Sequence, residues 1–197
     1  MATGSLLLGS DRRPLAASRR GAAAEGSGVR VDFSGTLESL AEVGIAITGF
    51  AGLVAVIGHR SSQPWTSEDR GNLRALLLWS LGAVFLAYVP IVLSSLGDAL
   101  RDPWRVSNGV FAAFHAYVFY ETFRVTREPN RPRAMNRFEK SLVVTGIAIL
   151  AGEILAAAGA LGSRAASMYL FAVLWFLFLA VTRFAALVAE QFNSPAA

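Results

Sequence analysis

The sequence predicts an all-α polytopic membrane protein, a bundle of five transmembrane helices. Three observations carry that reading. Of 197 residues, 54% are hydrophobic and only 16% charged, against about 25% charged in an ordinary soluble domain. Mean hydropathy is +0.47. The apolar residues also fall into runs of about 20, the length a helix rising about 1.5 Å per residue needs to cross a hydrocarbon core about 30 Å thick.

The first 35 residues differ in kind. They are rich in Ala, Gly, Ser and Arg, show no helical or strand period, and read as a disordered tail. Their apolar run, Leu6–Leu8, is too short for a signal-peptide core. The membrane domain then covers residues 36–191, with 192–197 as a short C-terminal tail.

Span one is Leu40–Gly58, with Gly44, Thr48, Gly52 and Ala55 at four- and three-residue steps. Small residues on one stripe let helices approach closely where no hydrophobic force drives them together. Ser39 and Glu42 stand three apart, the spacing of a capping box at the start of this span. Span two is Leu73–Gly97. Thr66 to Asp69 supply a second capping pattern ahead of it, and Pro90 inside it deprives the Leu86 carbonyl of its helical partner. Span three, Val106–Phe123, follows Pro103, a residue suited to a first helical turn. It is the weakest, because it holds Asn108, His115 and Glu121. If it only dips into the bilayer, four spans remain. Span four is Ser141–Leu161, with Ala148, Gly152 and Ala156 on one stripe. Span five is Met168–Ala189. Trp65, Trp104 and Tyr169 are expected in an interfacial aromatic belt.

Orientation follows the basic residues of the short loops. The segment 124–140 carries Arg124, Arg127, Arg131, Arg133, Arg137 and Lys140 and is predicted to be cytoplasmic. Five spans then put the N-terminus outside and the C-terminus inside, in a bacterial inner (plasma) membrane. Arg127, Arg131, Arg133, Arg137 and Lys140 are also candidates for binding anionic lipid headgroups, each basic residue contributing on the order of 1 kcal/mol. The high pI is accounted for by these flanking arginines, so no nucleic-acid partner is expected.

Polar groups within the spans are the candidate functional residues. Asn108, Ala112, His115, Phe119 and Thr122 step by four and three and share one face of span three, which is predicted to point inward. Glu153 falls just past the middle of span four with no basic residue three or four away. Holding it protonated at neutral pH costs about 3.7 kcal/mol, and leaving it charged costs roughly 2.5–3.5 kcal/mol on insertion scales. The two figures leave both states open, a neutral hydrogen-bonded acid or a carboxylate beside His115 or Arg183. By depth, His115 and Tyr88 are its neighbours. Glu153, His115, Tyr88 and Asn108 are thus grouped as an intramembrane polar path, with Glu42 and Asp98 at its outer mouth. Glu121 is expected to pair with Arg124 or Arg183 on the cytoplasmic side.

No chemistry of catalysis is legible. There is no cysteine, so thiolate metal sites are excluded. His59 and His115 lie too far apart to ligate one haem, and no set of three or four zinc ligands, phosphate-cradling loop or nucleophile elbow occurs. The expectation is a non-enzyme without metal or cofactor. Its partners are the bilayer and either copies of itself or a larger membrane complex. The leading reading is an oligomeric ion- or proton-permeable conduit. The alternatives are an accessory subunit packed against a larger complex and a membrane pH sensor acting through His115.

Overall fold

Helices account for nearly every residue that the computed structural model describes, which are 33–60, 67–96, 102–126 and 136–193. In chain order they are α1 Phe33–Arg60, α2 Ser67–Ser95, α3 Pro103–Thr126, α4 Arg137–Ala157 and α5 Ala165–Asn193, with a 3-10 turn at Gly162–Arg164 leading into α5. Among the described residues there is no strand. Four segments are long and apolar enough to cross a membrane: Phe33–Val56, Arg70–Ser95, Arg137–Ala157 and Gly162–Ala189. By length and composition the chain is a multi-pass membrane protein. α3, read as the third span, is not among the four, its hydropathy lowered by Arg105, Asn108, His115, Glu121 and Arg124. Large apolar side chains face outward on all five helices, Phe85 73% and Val144 66% exposed among them, the inverse of a water-facing surface.

α5 is the hub, touching each of the other four helices. Cross-helix pairs fix the directions. Gly44 lies against Val84 and Thr48 bonds to Ser80 at 2.8 Å, so α1 and α2 are antiparallel. Leu86 meets Tyr169 and Asn72 meets Arg183, so α2 and α5 are antiparallel as well. α3 runs against α4 but alongside α5, pairing His115 with Glu153 and Asn108 with Ala165. Successive helices therefore alternate in direction. Their core is an aromatic and alanine-rich seam including Phe111, Tyr169, Ala172, Phe176 and Ala180.

Helix ends depart from the expected spans where local chemistry decides them. α1 begins at Phe33, so Ser39 and Glu42 sit inside the helix and cannot cap it; the Ser39 hydroxyl donates back to the Gly35 carbonyl at 3.0 Å. The Thr66–Asp69 cap lies outside the residues whose side chains are described. α3 does start at Pro103, behind Asp102, whose Oδ1 accepts from the amides of Trp104 and Arg105. α4 is started by a capping box in which Asn136 and Glu139 exchange side-chain-to-backbone bonds of 2.8 and 3.0 Å. It stops at Ala157, four residues short of the predicted span. Gly159 takes φ +86°, and the bonds from the Gly159 amide to Ala156 and from the Ala160 amide to Leu155 make a Schellman turn.

The small-residue stripes are used only in part. A Cβ on Gly44 would stand 2.6 Å from Val84 Cγ2 and 3.2 Å from the Ser80 carbonyl, so that glycine sets how closely α1 approaches α2. Gly52 meets nothing within 4 Å and faces outward, because the buried side of α1 turns through Ala41, Gly44 and Ala51 instead. On α4, Ala156 is buried and Gly152 meets Met168, while Ala148 is exposed.

Tyr169 faces the core of the bundle and not a surface belt. It is fully buried, and its hydroxyl donates to the carbonyl of Leu86, the group that Pro90 leaves without a helical amide. Replacing Tyr169 by Phe is expected to destabilise the protein by about 0.5–2 kcal/mol through the orphaned carbonyl. Unfolding of the purified protein in detergent checks this, and a Tyr169→Phe/Pro90→Ala pair should recover most of the loss.

Candidate functional site: a buried histidine–glutamate pair

Two side chains carry ionisable groups deep in the protein and are held against each other. His115 sits midway along α3 and Glu153 one turn before the end of α4; their residues are 2% and 0% exposed. His115 Nδ1 lies 3.1 Å from Glu153 Oε1 and 3.2 Å from Oε2. Because α4 ends at Ala157, Glu153 lies nearer that helix's end than the expected span placed it. The antiparallel crossing of α3 and α4 still brings it level with the middle of α3.

The sequence explains the placement on each helix. On α3, Ser107, Asn108, Phe111, Ala112, His115 and Val118 recur at helical spacing and are all buried. Of the face expected to point inward, Asn108, Ala112 and His115 do so, Phe119 is half-buried and Thr122 is exposed, because the buried stripe turns toward Phe111 and Val118. On α4 the buried residues are Gly146, Ile149, Glu153 and Ala156, a three- and four-residue stripe. Aromatic rings then wall the imidazole. Phe119 stacks on it at 5.1 Å between centroids, and Phe176 of α5 meets it edge-on at 4.9 Å. A ring that packs this way cannot turn toward another partner without displacing α5.

One proton between Nδ1 and the carboxyl satisfies both groups. It makes either an imidazolium–carboxylate pair or a neutral imidazole accepting from a carboxylic acid. Both forms carry no net charge, which suits an apolar site where an uncompensated charge is strongly unfavourable. Removing the proton leaves one negative charge among rings and alanines. Arg183 cannot offset it, since that guanidinium is held elsewhere: Nη1 donates to Asn72 Oδ1 at 3.4 Å, and the group lies 5.5 Å from the centre of the Trp79 ring.

The other predicted path residues divide. Asn108 is fully buried two turns from His115 on the same face of α3. Its Nδ2 donates to the carbonyls of Trp104 (2.8 Å) and Ala165 (3.1 Å), while Oδ1 is buried with no partner. Tyr88 does not join the group: it is 43% exposed on the outer face of α2, whose inner face is taken by Leu86, Ala87 and Pro90. Glu42 is exposed on α1, and Asp98 lies outside the described residues.

Glu121 pairs with Arg124 (3.5 Å), and also with Arg74 of α2 (3.8 Å) rather than with Arg183. Both arginines are largely exposed, so these contacts contribute little. Arg137 and Lys140 are exposed at the start of α4; Arg127, Arg131 and Arg133 lie outside the described residues.

Arg105 went unnoticed in the sequence. From the first turn of α3 its Nε and Nη2 donate to the carbonyls of Ala157 and Ala158, at 3.2 and 3.0 Å, closing the end of α4. A Cβ on Gly159 would stand 2.8 Å from the guanidinium carbon. The signal was there in the glycine of "AAAGALG", but its apolar neighbours read as continuing span.

Among the described residues no group of three or more His, Asp or Glu side chains converges as a metal site would require. Comparison with known families, curated proteins and solved structures finds no match to this chain.

The pair is expected to act as one unit. His115→Ala or Glu153→Ala alone should destabilise by about 2–4 kcal/mol, each leaving the other group buried without its partner. The double variant should cost less than the sum by about 1–3 kcal/mol. A double-mutant cycle of unfolding in detergent measures this coupling; additive losses would mean that the 3.1 Å contact contributes nothing.

Proposed function

We propose that the protein is a non-catalytic accessory subunit that docks through α1 onto a helix of another membrane protein. One observation carries this reading. Glu38, Glu42, Ile45, Gly49, Gly52 and Val56 step by four and three along α1 and are all exposed. Gly49 and Gly52 have nothing within 4 Å, and Glu42 makes no hydrogen bond or ion pair among the described residues. Glu42 lies more than two turns inside a segment apolar enough to span a membrane. A carboxyl group facing outward there lacks the partner that such a group needs. Two bare glycines on the same stripe allow a neighbouring helix to come close.

The occupant is a helix of a different protein rather than a second copy. Two copies in one membrane share an orientation, so a parallel pairing along this stripe would bring Glu42 close to its own counterpart. A partner helix with a basic or hydrogen-bond-donating side chain at that level meets the need. The His115–Glu153 pair then serves as a fastener that holds α3 and α4 against α5.

A photoreactive residue at Gly49 is expected to cross-link one distinct polypeptide in native membranes, and the yield should fall several-fold with Glu42→Leu. The same probe at Val144, outward on α4, should give no such product. Cross-linking to a second copy alone, or to nothing, would sink the proposal.

A second reading, a proton-permeable conduit, is favoured by the buried Asn108 Oδ1. An unpaired acceptor two turns from a proton-holding pair on the same helix face is where a proton-carrying water would sit. Proton flux into proteoliposomes should then fall at least tenfold with Glu153→Gln, which keeps the shape of the site and removes its titration. Equal flux in both proteins excludes Glu153 from any path.

A further inference from the structure

We infer that the groove between α3 and the end of α4 is a binding site for one phospholipid whose headgroup joins a phosphate to a primary ammonium, as phosphatidylethanolamine does. The inference rests on the chain spanning a membrane and is independent of how α1 is used.

The groove has a polar end and an apolar floor. Asp102 and Arg105 form the polar end; Gly109 and Ala113 line the floor on α3, and Ala157 on α4. It is open to the outside, with Val106 and Ala113 exposed. Val106 and Val110 form its apolar sides, and it is low between them because Gly109, Ala113 and Ala157 are small: even a Cβ on Gly109 would only touch that of Ala157, at 3.8 Å. Arg105 marks where α4 ends, since it binds the last carbonyls of that membrane-spanning helix. From Arg105 to Ala113 is eight residues, about 12 Å along a helix. That is most of one leaflet, half of a hydrocarbon core about 30 Å thick. A furrow that runs one leaflet deep and opens at headgroup level has the dimensions of a lipid acyl chain.

The polar end selects the headgroup. A guanidinium has five N–H donors, and Arg105 uses two on Ala157 and Ala158, leaving others for a phosphate oxygen. Asp102 accepts two backbone amides through Oδ1, while no bond to Oδ2 is made among the described residues. A carboxylate oxygen beside a guanidinium repels an anionic headgroup and complements an ammonium. A primary ammonium adds hydrogen bonds that a quaternary choline cannot make, so the order of preference is ethanolamine, then choline, then glycerol.

The full-length protein reconstituted in nanodiscs of equal parts phosphatidylethanolamine, phosphatidylcholine and phosphatidylglycerol, then analysed by native mass spectrometry, tests this. One phosphatidylethanolamine per chain should be retained, favoured about two- to fivefold over the others, the range of an ion pair at a water-exposed edge. Gly109→Leu fills the furrow without touching the headgroup and should abolish retention. Asp102→Asn keeps the helix cap, because Asn caps as well as Asp, and should bring the ethanolamine-to-choline ratio to about one. Circular dichroism confirms that each variant folds. Retention without headgroup preference in the unaltered protein, or retention undiminished by Gly109→Leu, would overturn the site.

Discussion

A polar group within hydrocarbon has only the rest of the protein to bond to, and this constraint organises the whole bundle. At several breaks in the helical ladder among the described residues, a side chain from another helix takes the open place. Pro90 removes the amide that would serve Leu86, and the Tyr169 hydroxyl supplies the bond. α4 ends with free carbonyls, and Arg105 of α3 donates to two of them. Asn108 spans from α3 to the Ala165 carbonyl at the start of α5. The Thr48 hydroxyl donates to the Ser80 hydroxyl across α1 and α2, and Ser80 donates back to the Leu76 carbonyl of its own helix. Each bond is modest, but each also fixes which helix lies beside which.

The His115–Glu153 contact follows the same rule with ionisable partners. Its strength as a fastener comes from being closed: both groups are buried, both carboxyl oxygens reach the same nitrogen, and rings of α3 and α5 fill the remaining sides. Breaking it requires separating α3 from α4 and moving Phe176. Such a site suits the proposed docking role, in which the bundle holds its shape and α1 is the binding surface. α1 packs on α2 and α5 through Ala41, Gly44 and Ala51, leaving Glu42, Gly49 and Gly52 on the side away from them. The furrow beside Arg105, the proposed lipid site, is a third kind of place, kept open on α3 by Gly109 and Ala113.

Much of the fold was legible in the sequence. Runs of apolar residues announced helices, and helical spacing put Asn108, Ala112 and His115 on the inward face of α3, though not Thr122, which is exposed. Pro90 pointed to Leu86 as a carbonyl needing a donor, and the isolation of Glu153 on its own helix called for a partner from another. These are properties of single helices, decided by a repeat of 3.6 residues and by the chemistry of a backbone in hydrocarbon. Helix ends were less legible: an apolar stretch such as "AAAGALG" serves equally as span or as turn until Gly159 is seen at positive φ with Arg105 lying against it.

What only the tertiary structure decided is which faces meet. Glu153 finds His115 across 38 residues of chain, Tyr169 finds Leu86 across 83, and Arg183 goes to Asn72 and Trp79 instead of Glu121. Tyr88, grouped with the pair by its place along the sequence, faces outward, because Leu86, Ala87 and Pro90 claim the inner side of α2. Periodicity places a residue on a side of its own helix and at a level in the membrane. It carries no information about rotation relative to neighbours, which is set by how small residues such as Gly44 and Gly146 let particular helices close together. Composition and spacing therefore determined that this chain lives in a membrane and which polar groups must be satisfied there, and packing determined with what.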